Sequence, residues 1–237
     1  MIMRLLLISN STNPGEAYLD YPKANIQEFL GPNIKKALFL PYAAVSFSYD
    51  EYAEKLQSRF DELGYQVDSI HKHKDPVLAI QEAEAIVVGG GNTWNLTREI
   101  HDNHLIDVVR DRVLKGTPYV GWSAGSNMAC PTIKTTNDMP VIDPRGFHSF
   151  NLIPFQINPH YLDANPEGHA GETREQRIEE FLEVNQHVYV LGLRESTMLK
   201  VTNNHVELIG PRPARIFRKG QSPIEIEAGG DFDFLMK

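Results

Sequence analysis

Pro118-Tyr119-Val120-Gly121-Trp122-Ser123-Ala124-Gly125-Ser126-Asn127-Met128-Ala129 reads as a strand that breaks at a sharp turn into a helix. The turn is a Gly-x-Ser-x-Gly. At such a junction small residues relieve crowding around strained backbone, the serine hydroxyl stands free, and the next backbone N–H points at the same reacting atom. The spacing predicts Ser123 as a nucleophile and the Ala124 N–H as an oxyanion donor. The competing reading is a glycine-bracketed tight turn with an incidental serine.

Outward from this turn, the apolar runs Arg4–Ile8, Ala37–Leu40, Tyr65–Ile70, Ala85–Val88 and Tyr119–Trp122 each precede a polar or glycine-containing turn. Between them, Asp50–Leu63, Thr93–His101 and Leu105–Leu114 carry apolar residues at three- and four-residue steps, as helices covering a sheet do. Alternating runs of this kind predict a doubly wound, mostly parallel α/β sheet up to about residue 130. After Glu172 the texture changes. A helix through Leu182 is followed by strands at Val188–Leu193, Met198–Val201 and Val206–Ile209, the last two flanking Asn203-Asn204, a pair suited to a hairpin turn. The last third is expected to end in hairpins. No repeat or Pro/Ser-rich linker divides the chain, so residues 1–237 read as one domain.

Composition narrows the partners. With 23 Lys+Arg against 31 Asp+Glu the net charge is −8, and the pI is near 5.6. Such a chain lacks the basic field that phosphate backbones attract, so no nucleic acid is expected. The longest apolar stretch, Ala37–Val45, contains Pro41 and is far short of the ~20 residues of a membrane-spanning helix, so no membrane partner is expected. Leu5–Ile8 is too short for a signal-peptide core, which predicts a cytoplasmic protein. Cys130, the only cysteine, can form no internal disulfide and supplies no metal-ligand spacing. Neither a metal nor a cofactor is expected.

A serine nucleophile needs a base, and there are nine histidines. His160 stands out in Phe155-Gln156-Ile157-Asn158-Pro159-His160-Tyr161, where a proline stops an apolar segment and the imidazole follows just past the expected strand end. His148 and His169 are the fallback candidates. An orienting carboxylate could come from Asp138, in the polar turn after Thr135-Thr136-Asn137, or from Glu195, just past the strand at 188–193. Local sequence supports either. Gly89-Gly90-Gly91-Asn92, after Ala85–Val88, lets backbone approach a ligand closely; it matches no nucleotide-binding pattern but could supply a second oxyanion N–H. In Glu172-Thr173-Arg174-Glu175-Gln176-Arg177, Thr173 and Gln176 resemble a capping box. Arg174 and Arg177 then lie in the first helical turn, where positive charge opposes the helix dipole unless an anion comes close.

Leu7–Thr12, Val87–Thr93, Gly121–Gly125, Thr135–Pro140, Gln156–His160 and Pro166–Arg177, in this order, resemble the peptidase E family of α-aspartyl dipeptidases, from about Met3 to near Ala228. The resemblance implies a flavodoxin-like fold related to class I glutamine amidotransferase domains, with serine replacing their cysteine nucleophile. It also implies hydrolysis of dipeptides that begin with aspartate, a small acidic substrate, without metal or cofactor. Matched by motif, the nucleophile falls on Ser123 and the histidine on His160. The acid falls on Asp138 or on Glu195, of which Glu195 is favoured because in amidotransferase-like sheets the acid follows the histidine and both sit beyond strand ends. Arg194 and Ser196 flank Glu195 where the family commonly has proline and glycine. Gly91 and Ala124 would form the oxyanion hole, Arg174 or else Arg177 would meet the substrate carboxylate, and the remaining acid would meet its ammonium. A cyanophycinase-like β-aspartyl peptidase, an α/β-hydrolase esterase and a non-catalytic acidic-peptide sensor are the rival readings, and the chain is expected to be a monomer or small homo-oligomer.

Overall fold

The computed structural model describes residues 2–165, 167–168 and 170–237. Five strands, β1 (Arg4–Ile8), β2 (Lys36–Leu40), β3 (Gln66–Ser69), β4 (Ala85–Val88) and β5 (Tyr119–Trp122), pair in parallel in the order β3-β2-β4-β5-β1. All four residues of β4 and of β5 are buried. That is why these strands are continuous apolar runs in the sequence: a parallel sheet covered on both faces has no solvent side to alternate with. In β1, Leu5 and Leu7 join one apolar cluster while Leu6 and Ile8 join the other.

Helices α1 (Lys23–Leu30), α2 (Tyr49–Leu63), α3 (Pro76–Glu82), α4 (Thr93–Asp102) and α5 (Leu105–Leu114) connect these strands, and α6 (Ala124–Ala129) leads out of β5. The helix predicted from Asp50 is α2, opened by a capping box in which the Ser48 hydroxyl accepts the Glu51 N–H and Glu51 returns to the Ser48 N–H. Helices α1 and α3 are additional to the sequence reading. The strand expected at 65–70 is shorter, because Ile70–Lys72 turns into a 3₁₀ segment.

Past residue 155 the chain builds β6 (Gln156–Tyr161), α7 (Arg174–Val184), β7 (Val190–Arg194), β8 (Met198–Thr202), β9 (His205–Ile209), β10 (Ala214–Phe217) and β11 (Ile224–Ile226). Strands β8 and β9 form the predicted hairpin, and β8 runs antiparallel to β1 at the edge of the main sheet, extending it to seven strands. The others make a second sheet in the order β11-β10-β7-β6, with β6 and β7 parallel. His160 does not lie past a strand end but within β6, at a register break between Pro159 and Tyr161. Proline has no N–H to give a ladder, so it is tolerated at such a bulge. Ile157, Leu191 and Leu193 of the second sheet share an apolar cluster with Leu5, Leu7 and Val88 of the first.

Candidate active site

The strand-to-helix turn is strained at the serine itself: Ser123 has φ +53° and ψ −111°. A β-carbon added at Gly125 would lie 2.2 Å from the Val88 carbonyl oxygen, and one at Gly121 would lie 2.5 Å from that of Gly125. No side chain fits at either position. The Ser123 N–H donates to the Ile8 carbonyl at 3.0 Å, fixing the turn to β1, while Ser126 Oγ donates to the carbonyls of Ile8 and Gly121 at 2.8 and 3.0 Å. The first N–H groups of α6, beginning with Ala124, have no intrahelical acceptor, as at the start of any helix.

His160 reaches this turn from the second sheet. Its Nε2 is 3.0 Å from Ser123 Oγ, and its Nδ1 is 2.7 Å from Glu195 Oε1. A carboxylate at Nδ1 selects the tautomer with the proton there, which leaves Nε2 to accept from the serine hydroxyl. His160 itself has φ +52°, and Glu195 is followed by Ser196 at φ +69°. That left-handed position accounts for the glycine expected beside the acid. Here Ser196 is secured by its N–H to Asn10 Oδ1 at 2.9 Å and its hydroxyl to Asn13 Oδ1 at 3.0 Å.

Asp138 is not brought to His160. Its Oδ2 accepts from the Thr93 N–H, the Thr93 hydroxyl and the Thr136 hydroxyl at the N-terminus of α4, where a negative charge is favoured. It nevertheless lines the same cavity of about 270 Å³ as Ser123, Asn127, Asn137, His160 and Arg174. The two arginines part company. Arg174 is half-buried on this cavity, and burial and the neighbouring Arg177 hold its pKa below the ordinary arginine value, with Asp138 acting in the opposite direction. Among the described residues it has no ion-pair partner. Arg177 is exposed and lies 3.7 Å from Glu172. The predicted capping box of α7 is present, with Thr173 and Gln176 exchanging hydrogen bonds.

The glycine run lies on the elbow. A β-carbon at Gly90 would approach Ser123 Cβ to 3.1 Å and Trp122 Cδ1 to 2.8 Å, whereas Gly91, at φ +134°, faces the Ala43 carbonyl at 2.4 Å. Gly90 is therefore the residue in contact with Ser123, and Gly91 follows it. Asn92 caps α4 by accepting from the N–H groups of Trp94 and Asn95. His148 is exposed, outside this cavity, and its carbonyl is bonded by His101; His169 lies outside the described residues. Cys130 is buried, its sulfur accepting the Ile157 N–H at 3.2 Å. Among the described residues, no three His, Cys, Asp or Glu side chains come together as metal ligands, and no helix is long and apolar enough to cross a membrane.

Sequence reasoning missed Asn127 and Asn137. Asn127 Nδ2 donates to the Ile157 carbonyl and Asn137 Nδ2 to that of Pro159, so both hold β6 near His160. The available signal was an amide inside the small-residue helix after the elbow.

The fold and its elbow define the class: hydrolases that carry a nucleophilic serine on a strand-to-helix turn of a doubly wound α/β sheet. Residues 5–209 match the family model for peptidase family S51. The chain belongs to that family and is a serine-type peptidase. It is 50% identical over 237 residues to peptidase E from Nostoc sp., covering 100% of this chain and 98% of that one. It is 47% identical over 230 residues to peptidase E from Salmonella paratyphi A, covering 97% and 100%. The crystal structure of a peptidase from an acI-B1 actinobacterium superposes with a TM-score of 0.70 at 17% identity, covering 98% of this chain and 97% of that one. The fold is the class I glutamine amidotransferase-like one.

Proposed function

We propose that the chain is a dipeptidase acting on dipeptides with N-terminal L-aspartate, through Ser123, His160 and Glu195 and an acyl-enzyme. The observation that carries the reading is the hydrogen-bonded line from Ser123 Oγ through His160 to Glu195, opening on a small cavity with Arg174 and Asp138 in its wall. His160 takes the serine proton as Ser123 attacks the aspartyl carbonyl, and returns it to the leaving amine. Water, activated by the same imidazole, then releases the acyl group. Negative charge developing on the carbonyl oxygen is met by the Ala124 N–H and by an N–H of the Gly90-Gly91 loop, Gly91 being the residue expected. Glu195 holds the imidazole tautomer and stabilises the imidazolium.

The substrate side chain supplies the anion that half-buried Arg174 lacks among the described residues. Asp138 is the acid outside the triad, and its charge suits the free α-ammonium of the same residue. A panel of Asp-Leu, Glu-Leu, Asn-Leu, iso-Asp-Leu and Leu-Leu tests this: only Asp-Leu should be cut well, and Ser123→Ala should lose on the order of 10⁴–10⁶ in kcat while remaining folded. Preferential cleavage of iso-Asp-Leu would move the assignment to a β-aspartyl peptidase.

A further inference from the structure

β1 ends where the two sheets meet, and the two residues after it are polar yet buried: Ser9 is 0% and Asn10 1% exposed. A hydroxyl and an amide removed from water must find partners inside the protein. Those partners lie beside His160 and Glu195. Ser9 Oγ accepts the His160 N–H at 3.0 Å and donates to the Leu193 carbonyl at 2.8 Å, two residues before Glu195. The bulge in β6 leaves His160 without a place in the ladder, and its N–H is bonded to Ser9 instead.

Asn10 acts on the other partner. Its Oδ1 accepts the Ser196 N–H at 2.9 Å, at the residue whose left-handed backbone directs the chain away from Glu195. The Asn10 amide is itself locked, donating to the Thr12 carbonyl at 3.0 Å and Asn13 Oδ1 at 2.8 Å, with the Tyr21 hydroxyl 2.8 Å from its Oδ1. One end of a buried central strand therefore grips the backbone of the histidine and of the residue next to the acid, at two positions of left-handed backbone.

We infer that Ser9 and Asn10 are positioning residues for the His160–Glu195 pair, clamping the two backbones so that Nε2 meets Ser123 Oγ. This rests on the Ser123-His160-Glu195 reading above. Neither residue lines the substrate cavity, so the clamp acts on the chemical step rather than on binding.

Ser9→Ala is the first test. A displacement of about 1 Å can cost on the order of 100-fold, so kcat for Asp-Leu should fall about 10- to 100-fold, with KM within about twofold. The rate of Ser123 labelling by a fluorophosphonate, which needs no aspartate recognition, should fall with kcat. In a His160→Ala background Ser9→Ala should cost nothing further, because the residue it serves is gone. Ser9→Cys, near-isosteric but a weaker hydrogen-bonding group, should fall between and decides the matter if Ser9→Ala does not fold. Asn10→Ala should lower kcat in the same way. Wild-type labelling at Ser123 separates the two ideas: if the wild type is not labelled, the triad reading fails and takes the clamp with it. If it is labelled, and the folded Ser9 and Asn10 variants react at the wild-type rate or lose only KM, the clamp alone is overturned.

Discussion

Thr93 binds Asp138 twice, its backbone N–H and its hydroxyl both donating to Oδ2, at 2.8 and 2.5 Å. The carboxylate is thereby anchored to the first turn of α4 in the wall of the cavity, while the imidazole bonds Glu195 instead. The two acids then differ in what they can do. Glu195→Gln should lower kcat by on the order of 10⁴, as expected when the group that orients a catalytic imidazole is lost. Asp138→Asn should instead raise KM for Asp-Leu about tenfold while kcat stays within a few-fold, the pattern of lost ground-state binding. Steady-state kinetics on the two variants decide it. Normal kcat in Glu195→Gln with a collapse in Asp138→Asn would reverse the roles.

Arg174 should govern selectivity. Removing a guanidinium that pairs with a substrate carboxylate costs roughly 2–5 kcal/mol, so Arg174→Met should lose that much in kcat/KM for Asp-Leu and far less for Asn-Leu, whose amide is uncharged. Arg177→Met should do little, since that side chain is exposed beside Glu172. An unchanged Asp/Asn ratio in Arg174→Met would remove the residue from substrate recognition.

Acid sensitivity should trace to Arg194. Its guanidinium is 8% exposed and bridges Glu225 and Asp163, and the hydrogen bonds it donates hold both carboxyls below their ordinary values of 4.5 and 3.8. A carboxyl depressed in the folded state binds its proton more readily when unfolded. The stabilisation is therefore complete above the unfolded values and is lost as pH falls through the depressed ones. Thermal melts should show Tm falling below about pH 5, and Arg194→Met should both lower Tm at neutral pH and flatten that acid slope. An acid slope identical to wild type would place the sensitive carboxylates elsewhere.

Cys130 should be inert. Burial pushes its thiol pKa up to about 12, and its sulfur is enclosed against Ile157 and Ser126. Iodoacetamide at mildly alkaline pH should label it only after denaturation, because the thiolate is the reactive form. Labelling of the folded enzyme would show an opening at the α6–β6 contact.

The elbow can be read from residues 118–129 alone because its signature is local, an apolar strand broken by a glycine-bracketed serine, although the contacts that exclude a side chain at Gly125 and hold Ser123 come from Val88 and Ile8. Helix α7 is legible for the same reason, its capping box lying within Thr173–Gln176. Helix α3 carries a readable signal, since Asp75 caps it and Pro76 opens it. Helix α1 carries a weaker one: it follows Pro22 without a side-chain cap, and Ile26, Phe29 and Leu30 give a single three- and four-residue apolar step. Which of Asp138 and Glu195 meets the imidazole is not local. It is set by the parallel pairing of β6 with β7 and by a bulge that turns His160 toward Glu195, 35 residues on. The separation of Arg174 from Arg177 likewise depends on which side of α7 faces the cleft, and that is decided only once the helix is docked.

Ser123 stands on the seven-stranded sheet, His160 and Glu195 on the four-stranded one, and the Ser9–His160 hydrogen bond joins residues 151 positions apart. Contacts of such long range form slowly, because a large loop must close before they stabilise anything. The proposed reaction, which needs Ser123, His160 and Glu195 together, therefore waits on the docking of one sheet against the other. In refolding from denaturant, helical circular dichroism should recover before turnover does.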